Sequence, residues 1–329
     1  MNTFSRMKTD LLGVGTLAAV VSFLAITLTS GAWQNFVMMV LYATLLGQAW
    51  NILGGYGGQF SFGHSLFFGV GAYAQIIAQL QWDMNPYVAL LFAGSLAVLV
   101  ALWVGFLSFR YGLKGSYFAL VTLAFAEVFR IVSFSVPFTG AGVGLMLPLK
   151  TSAANLQFEG KSGFIFVALA FVLVAFAITL YLKHSRLGAY LQAVRDNEDA
   201  ARAVGVNCFR TKLIAIALSG FLMSLGGAFY VQVFQYIDPT IAFGATSSVE
   251  ALVAAIVGGI GTLWGPLLGA LVLHGLSDIT RNLFGQLPGV NWVIYGVVLV
   301  TMVIFLPRGL MGGLQSLRVR LLKSNEVDK

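Results

Sequence analysis

The sequence predicts an all-α polytopic membrane protein of about ten transmembrane helices, with glycine-broken segments, both termini cytoplasmic and a candidate internal repeat. Three observations predict it. Only 9% of the 329 residues are charged and 58% are hydrophobic, against about 25% charged in a soluble domain. The mean hydropathy is +0.88. The apolar residues fall into ten runs that approach the roughly 20 residues a helix needs to cross a bilayer. A soluble fold of this length has too little interior to hide so much apolar surface. Disorder is excluded as well, because it requires low hydrophobicity and high charge.

The runs are, in order, Leu11–Ser30, Asn35–Leu53, Phe62–Trp82, Tyr87–Phe109, Tyr117–Val136, Phe164–Leu182, Leu213–Tyr236, Val249–Trp264, Leu267–Leu283 and Asn291–Leu306. The first follows Arg6 and Lys8. It is longer than a signal-peptide core of about 7–15 residues, and Ser30-Gly31-Ala32 is a poor cleavage site, so it reads as an uncleaved helix. Lys and Arg set the orientation. Arg6 and Lys8, Arg110 and Lys114, the segment from Lys183 to Lys212, and the tail from Arg308 all fall on one side if ten helices are counted. Eight spans satisfy the same charges if the glycine-rich segments re-enter. The chain reads as one transmembrane domain, 1–329, with a cytoplasmic loop at 183–212 and a basic cytoplasmic tail at 307–329. Six of the 19 Lys/Arg lie in that loop and five in that tail, a pattern of inner loops and not of a nucleic-acid surface.

Glycine is 38 of 329 residues, well above the usual level of about 7%. Gly54-Gly55-Tyr56-Gly57 and Gly258-Gly259-Ile260-Gly261 share one form. Glycine-broken helices in corresponding halves indicate an internal repeat beside a transport path; two independent packing motifs are the alternative. Gly261, Gly265 and Gly269 stand four apart and suit close helix packing, interrupted by Pro266.

No catalytic constellation is present. His64, His184 and His274 are far apart, and Cys208 is the one cysteine, so there is neither a zinc ligand set nor an internal disulfide. Gly160-Lys161-Ser162 resembles the end of a phosphate loop, but position 155, where that motif needs glycine, is Asn155. Nothing in the chain reads as a nucleotide, metal or cofactor site.

The 183–212 loop is the most informative segment. Asp196 or Asn197 can cap a helix whose first turn holds Glu198 and Asp199, favourable to the helix dipole. A helix is expected over Arg195–Asn207. Glu198 and Arg202 form an i,i+4 pair in the better order, and Gly205 is placed as the C-terminal stop. Ala200, Ala203 and Val204 share a face with Ala201 beside it, small enough for another protein to come very close.

Glu198-Asp199-Ala200-Ala201-Arg202-Ala203-Val204-Gly205 resembles the Glu-Ala-Ala…Gly loop of ABC-importer permeases. The stretch from Asn51 to His64 (NILGGYGGQFSFGH), that from Leu113 to Ala124 (LKGSYFALVTLA) and Phe305-Leu306-Pro307-Arg308-Gly309-Leu310 are similar to the permease family of branched-chain amino acid ABC importers, on its LivM-like side. The resemblance covers roughly 35–315. It departs at Asp199, where Ala or an apolar residue is common, and at Thr139-Gly140-Ala141, where Thr-Gly-Gly is usual. It implies a division of labour: a second related permease completes the pore, two cytoplasmic ATPase subunits hold ATP and Mg²⁺, and an external binding protein delivers substrate. The location implied is the bacterial inner membrane, among lipid and without nucleic acid. Arg195, Asp196, Glu198, Asp199, Ala200, Ala201, Arg202 and Gly205 are then the ATPase-coupling residues. Urea, short amides or aromatic acids are alternative cargoes, and an ion-driven secondary transporter is the alternative class.

Polar residues within the runs complete the reading. Glu127 and Arg130, at i,i+3 in the fifth run, read as a structural ion pair. So do Asp278 and Arg281 in the ninth, whereas Glu250 stands alone in the eighth. Gln48, Asn51, Gly57, Gln59, Ser61 and His64 bracket the first glycine cluster. Either they satisfy backbone freed by the break, or they line a substrate path.

Overall fold

The computed structural model describes residues 3–284, together with positions 293, 296, 297, 300, 301, 304 and 309–313. Helices dominate. α1 (Thr3–Thr27), which packs on α6, and α2 (Gly31–Trp50) come first, and α2 continues as a π-helical turn over Asn51–Tyr56. α3 (His64–Trp82), α4 (Pro86–Arg110) and α5 (Gly115–Ser135) follow. After an irregular loop come α6 (Lys161–His184), the short α7 (Arg186–Asp196) and α8 (Glu198–Ala203), then α9 (Cys208–Phe234). α10 (Pro239–Phe243), α11 (Ala245–Gly258) and α12 (Gly265–Phe284) follow, and residues 309–313 are also helical.

The helix starts have local causes. Pro86 opens α4 behind Asn85, whose side chain accepts from Tyr87 N, an N-cap with proline in the first turn. The four-spaced Ala89, Ala93, Ala97 and Ala101 of α4 are fully buried, and a Cβ on Gly220 of α9 would meet Ala101. Small residues let these two helices pack closely. On the outward side Leu91, Leu99, Trp103 and Phe106 are exposed, as a lipid-facing side requires. α2, α3 and α9 make the centre, around Leu46, Trp50, Phe67 and Phe68. There Gly227 of α9 lies against the backbone of Phe68, with no room for a Cβ.

Two ends can be distinguished. At one, Asp10 of α1 bonds Lys183 at 2.7 Å and His184 at 3.3 Å, and Lys114 of the α4–α5 loop meets Glu198 at 3.4 Å. At the other, β1 (Leu145–Met146) pairs antiparallel with β2 (Tyr236–Ile237), and Tyr87 Oη donates to Ala153 O at 2.8 Å.

Among the described residues, seven helices are long and apolar enough to cross a membrane by length and composition. The other two long helices, α3 and α12, carry Gln75, Gln79 and Gln81, and His274, Asp278 and Arg281, respectively. The expected eighth run needs correction. Its apolar residues run through to Trp264, but the helix stops at Gly258, Gly259 and Gly261 take φ of 129° and 72°, and helix resumes at Gly265. Leu263 and Trp264 keep the hydropathy high across that break. The tenth run, Asn291–Leu306, and the tail 307–329 lie, apart from scattered positions, outside the described residues.

Candidate functional site: the 183–212 loop and the glycine junction

The loop folds from local signals. Ser185 caps α7 by accepting from Gly188 N. The expected continuous helix over Arg195–Asn207 is instead interrupted: Asn197 is extended, at φ −160° and ψ 109°, and its side chain accepts from Asp199 N and Ala200 N. The chain therefore turns between α7 and α8. α8 ends as the sequence indicates. Gly205 takes φ +88°, its N–H donates to Arg202 O at 3.0 Å, and Val206 N donates to Ala201 O at 3.0 Å. These two bonds make a Schellman stop. Asn207 then caps α9 by accepting from Arg210 N.

This short helix has two sides. Ala200, Ala203 and Val204 are exposed, Val204 by 79%. Ala201 turns inward and, at 3% exposure, clusters with Val194 and Cys208. The small face open to a partner is thus the 200–203–204 side, with Asp199 and Arg202 exposed beside it.

Glu198 anchors the loop. The anticipated pair with Arg202 is present at 3.2 Å. Sequence reading missed two further partners: Lys212 Nζ at 3.0 Å and Lys114 Nζ at 3.4 Å. Lys212 is 2% exposed and stands 4.9 Å from the centroid of the Phe109 ring. Partial burial raises the Glu198 pKa, but the hydrogen bond and charge of Lys212, then Lys114, outweigh it and hold the carboxyl below its ordinary value. No helical spacing connects 198 to 212 or 114, so no sequence signal marked these partners.

Above the loop the two glycine motifs meet. Gly261 N donates to Asn51 Oδ1 at 2.7 Å, Asn51 Nδ2 donates to Thr262 O at 2.9 Å, and Gln48 Nε2 donates to Leu263 O at 2.6 Å. The broken backbone between α11 and α12 is therefore satisfied by side chains of α2. Gln59 Nε2 donates to Gly57 O at 3.3 Å, Ser61 O accepts from Trp50 Nε1 at 2.8 Å, and Gly63 N donates to Ser61 Oγ at 3.3 Å. Ser219 Oγ donates to Ala49 O at 2.6 Å. A hydroxyl has one proton to give, so at 2.8 Å it accepts from His64 Nε2, which fixes the imidazole tautomer. All these side chains are buried.

Arg195 is turned toward this junction: its Nη1 donates to Gly55 O at 3.1 Å and its Nε to Asp196 Oδ1 at 3.1 Å.

The fifth-span pair is formed, with Arg130 Nε donating to Glu127 Oε2 at 2.8 Å. It lies on the outward side of α5, 30% and 49% exposed for Arg130 and Glu127. The Asp278–Arg281 expectation is not met: among the described residues no ion pair joins them. Glu250, read as solitary, instead faces His274 across α11 and α12 at 3.4 Å. Asp10 was also unforeseen as the partner of Lys183 and His184.

The family described as branched-chain amino acid transport system / permease component matches residues 32–306. The chain belongs to this family. The match includes the whole glycine junction, the loop and the Glu198 anchor. The high-affinity branched-chain amino acid transport system permease protein LivM of Escherichia coli is 25% identical over 301 residues, covering 84% of this chain and 69% of that one. LivH, of the same transport system in E. coli, is 24% identical over 140 residues, 43% of this chain and 44% of its own. The ribose import permease RbsC of E. coli is 33% identical over 138 residues, 40% of this chain and 42% of its own. A permease is a transport subunit and not an enzyme, in keeping with the multi-pass helical architecture.

Proposed function

We propose that this permease is one of two related membrane subunits of an ATP-driven importer for branched-chain or related amino acids in the bacterial inner membrane. The observation that carries the reading is the family match over 32–306. Two cytoplasmic ATPase subunits hold ATP and Mg²⁺, one of them docking on the exposed Ala200–Ala203–Val204 face of this chain, with Asp199 and Arg202 at its margin; an external binding protein delivers substrate. The chain itself holds no cofactor. Ten spans with both termini cytoplasmic complete the topology. Its support is the gathering of Lys114, Lys183 and Lys212 at one end, where positive charge belongs inside. The contact between the two Gly-Gly-x-Gly segments supports an internal repeat. Gln48, Asn51 and His64 hold the junction rather than line a path, in view of their bonds within the chain. The Glu127–Arg130 pair faces the second permease, because charged groups within a span face protein or a watery cavity, not lipid.

The test is uptake of labelled leucine, isoleucine and valine by cells with and without the gene, competed by urea and by phenylalanine. Saturable leucine uptake that disappears on ATP depletion and survives a protonophore supports the reading. Uptake abolished by the protonophore alone overturns it in favour of ion coupling, and competition by urea alone overturns the substrate class.

A further inference from the structure

The Arg195 side chain, 37% exposed, reaches from α7 to the π-helical turn that ends α2. Along α7, Leu191 and Arg195 stand four apart on one face. A Cβ on Gly57 would lie 3.5 Å from Leu191 Cδ2, and one on Gly58 would lie 2.5 Å from Arg195 Cγ. Gly58 has φ +64°. The chain leaves its helical path here, so the last carbonyls of the π-helical turn have no amide following them to donate. Gly55 O is taken by the Arg195 guanidinium at 3.1 Å, a basic side chain closing a helix C-terminus.

The same guanidinium adjoins the second glycine motif. A Cβ on Gly261 would be 3.1 Å from Arg195 Nη1, and one on Gly55 would be 2.7 Å from Gly261 N. One cation therefore stands where the end of α2 and the α11–α12 turn touch, and Asn51 ties those two segments together through Gly261 and Thr262. In sequence Arg195 is two residues before Asn197, the cap of α8, and three before Glu198. Asp196 Oδ1 holds its Nε at 3.1 Å. A displacement of α8 has a short, hydrogen-bonded route to the junction.

We propose that Arg195 is a positioning residue that transmits movement of α8 to the glycine junction, and that it acts by its bond to Gly55 O rather than by touching the ATPase. This rests on the reading of α8 as the ATPase-docking helix. Arg195→Met keeps an unbranched stem over Gly58 and removes the donor; Arg195→Lys keeps a charged donor on a stem of similar length. Both are assembled with the second permease, the ATPases and the binding protein in liposomes, with leucine as the transported probe. Three quantities are read: ATPase recovered with the chain, leucine moved per ATP hydrolysed, and deuterium uptake at 51–58 and 259–263 with and without the ATPases.

For Arg195→Met the expected result is ATPase recovery equal to wild type, leucine per ATP reduced at least tenfold, and loss of the ATPase-dependent change in deuterium uptake. Arg195→Lys restores at least half of the wild-type ratio. A residue needed only for folding lowers the amount of assembled protein and leaves the ratio unchanged, which overturns the proposal. So does equal failure of the Lys and Met variants. If Arg195→Met does not accumulate, wild-type exchange decides: no change at 51–58 on adding the ATPases overturns the proposal. Failure of the ATPases to bind the wild-type chain refutes the docking reading instead.

Discussion

Replacing Glu198 with glutamine strands a buried ammonium. Of the three cations around Glu198, Lys114 and Arg202 are 47% and 64% exposed, and exposed pairs contribute only about 0.2–1 kcal/mol each. Lys212 differs: it is 2% exposed and its carboxylate partner 10%. Breaking a buried pair from one side costs about 3–5 kcal/mol. The small residual exposure of Glu198, and the weak bond that glutamine can still accept, put the loss at the bottom of that range, about 3 kcal/mol. The sole cysteine reports it. Cys208 is 4% exposed and lies against Ala201 and Val194, with its Sγ 3.6 Å from Glu198 O. Maleimide reaches it only when α8 lifts from α9, so the labelling rate follows the opening constant. A loss of about 3 kcal/mol raises that rate about 100-fold at neutral pH. Adding Lys212→Met removes the stranded charge and slows labelling about tenfold or more from that level. The pH dependence has a definite sign. The Glu198 carboxyl is held below its ordinary value of 4.5, so its contribution is fully present above that value. It fades as the pH falls through the lower folded-state value. The wild-type unfolding midpoint should therefore carry an acid-dependent component below pH 4.5 that Glu198→Gln lacks. Cys208 labelling within twofold of wild type in Glu198→Gln would refute the anchoring argument.

The remaining predictions concern the loop and the junction. Ala200→Arg leaves the unfolding midpoint unchanged but abolishes ATPase co-purification, whereas Ala201→Arg forces a cation into the Val194–Cys208 cluster and lowers the folded yield first; equal midpoints for the two variants would contradict the inward position of Ala201. Gly205→Val meets nothing within 4 Å, so its cost is the positive φ alone, about 1–2 kcal/mol, read as faster Cys208 labelling without loss of membrane insertion. Asn51→Leu orphans Gly261 N and Thr262 O, each costing about 1–3 kcal/mol when buried, and should lower the unfolding midpoint more than Thr44→Val, whose hydroxyl bonds only within its own helix, to Val40 O at 2.7 Å.

What could be read in advance was local. The membrane helices follow from hydropathy, and the start and stop of α8 follow from Asn197 and Gly205, because a cap acts within a few residues of its own position. Whatever depends on distant partners was hidden. Gln48 and Asn51 have the polarity expected of a path or of a backbone clasp, and only the position of residues 261–263 distinguishes the two. Ala200 and Ala201 are the same residue type, and which of them faces out depends on where α9 lies. The end of α11 was missed because Ile260, Leu263 and Trp264 keep the run apolar through a break made by backbone angles at Gly259 and Gly261, to which hydropathy is blind.

The bonds from α2 to the α11–α12 turn also bear on how the chain is made. Asn51 is separated from Gly261 by 210 positions, and a ribosome adding about 5–20 residues per second needs about 10–40 s to synthesise the interval. Until 261–263 are made, Asn51 lacks both Gly261 N and Thr262 O and the Gln48 amide lacks its acceptor, Leu263 O, although Thr179 of α6 is already there to donate to Gln48 Oε1. The early helices must wait in a partly hydrated or chaperoned setting. A ribosome stalled after α6 would hold a nascent membrane segment recognisable to quality control by its open polar face.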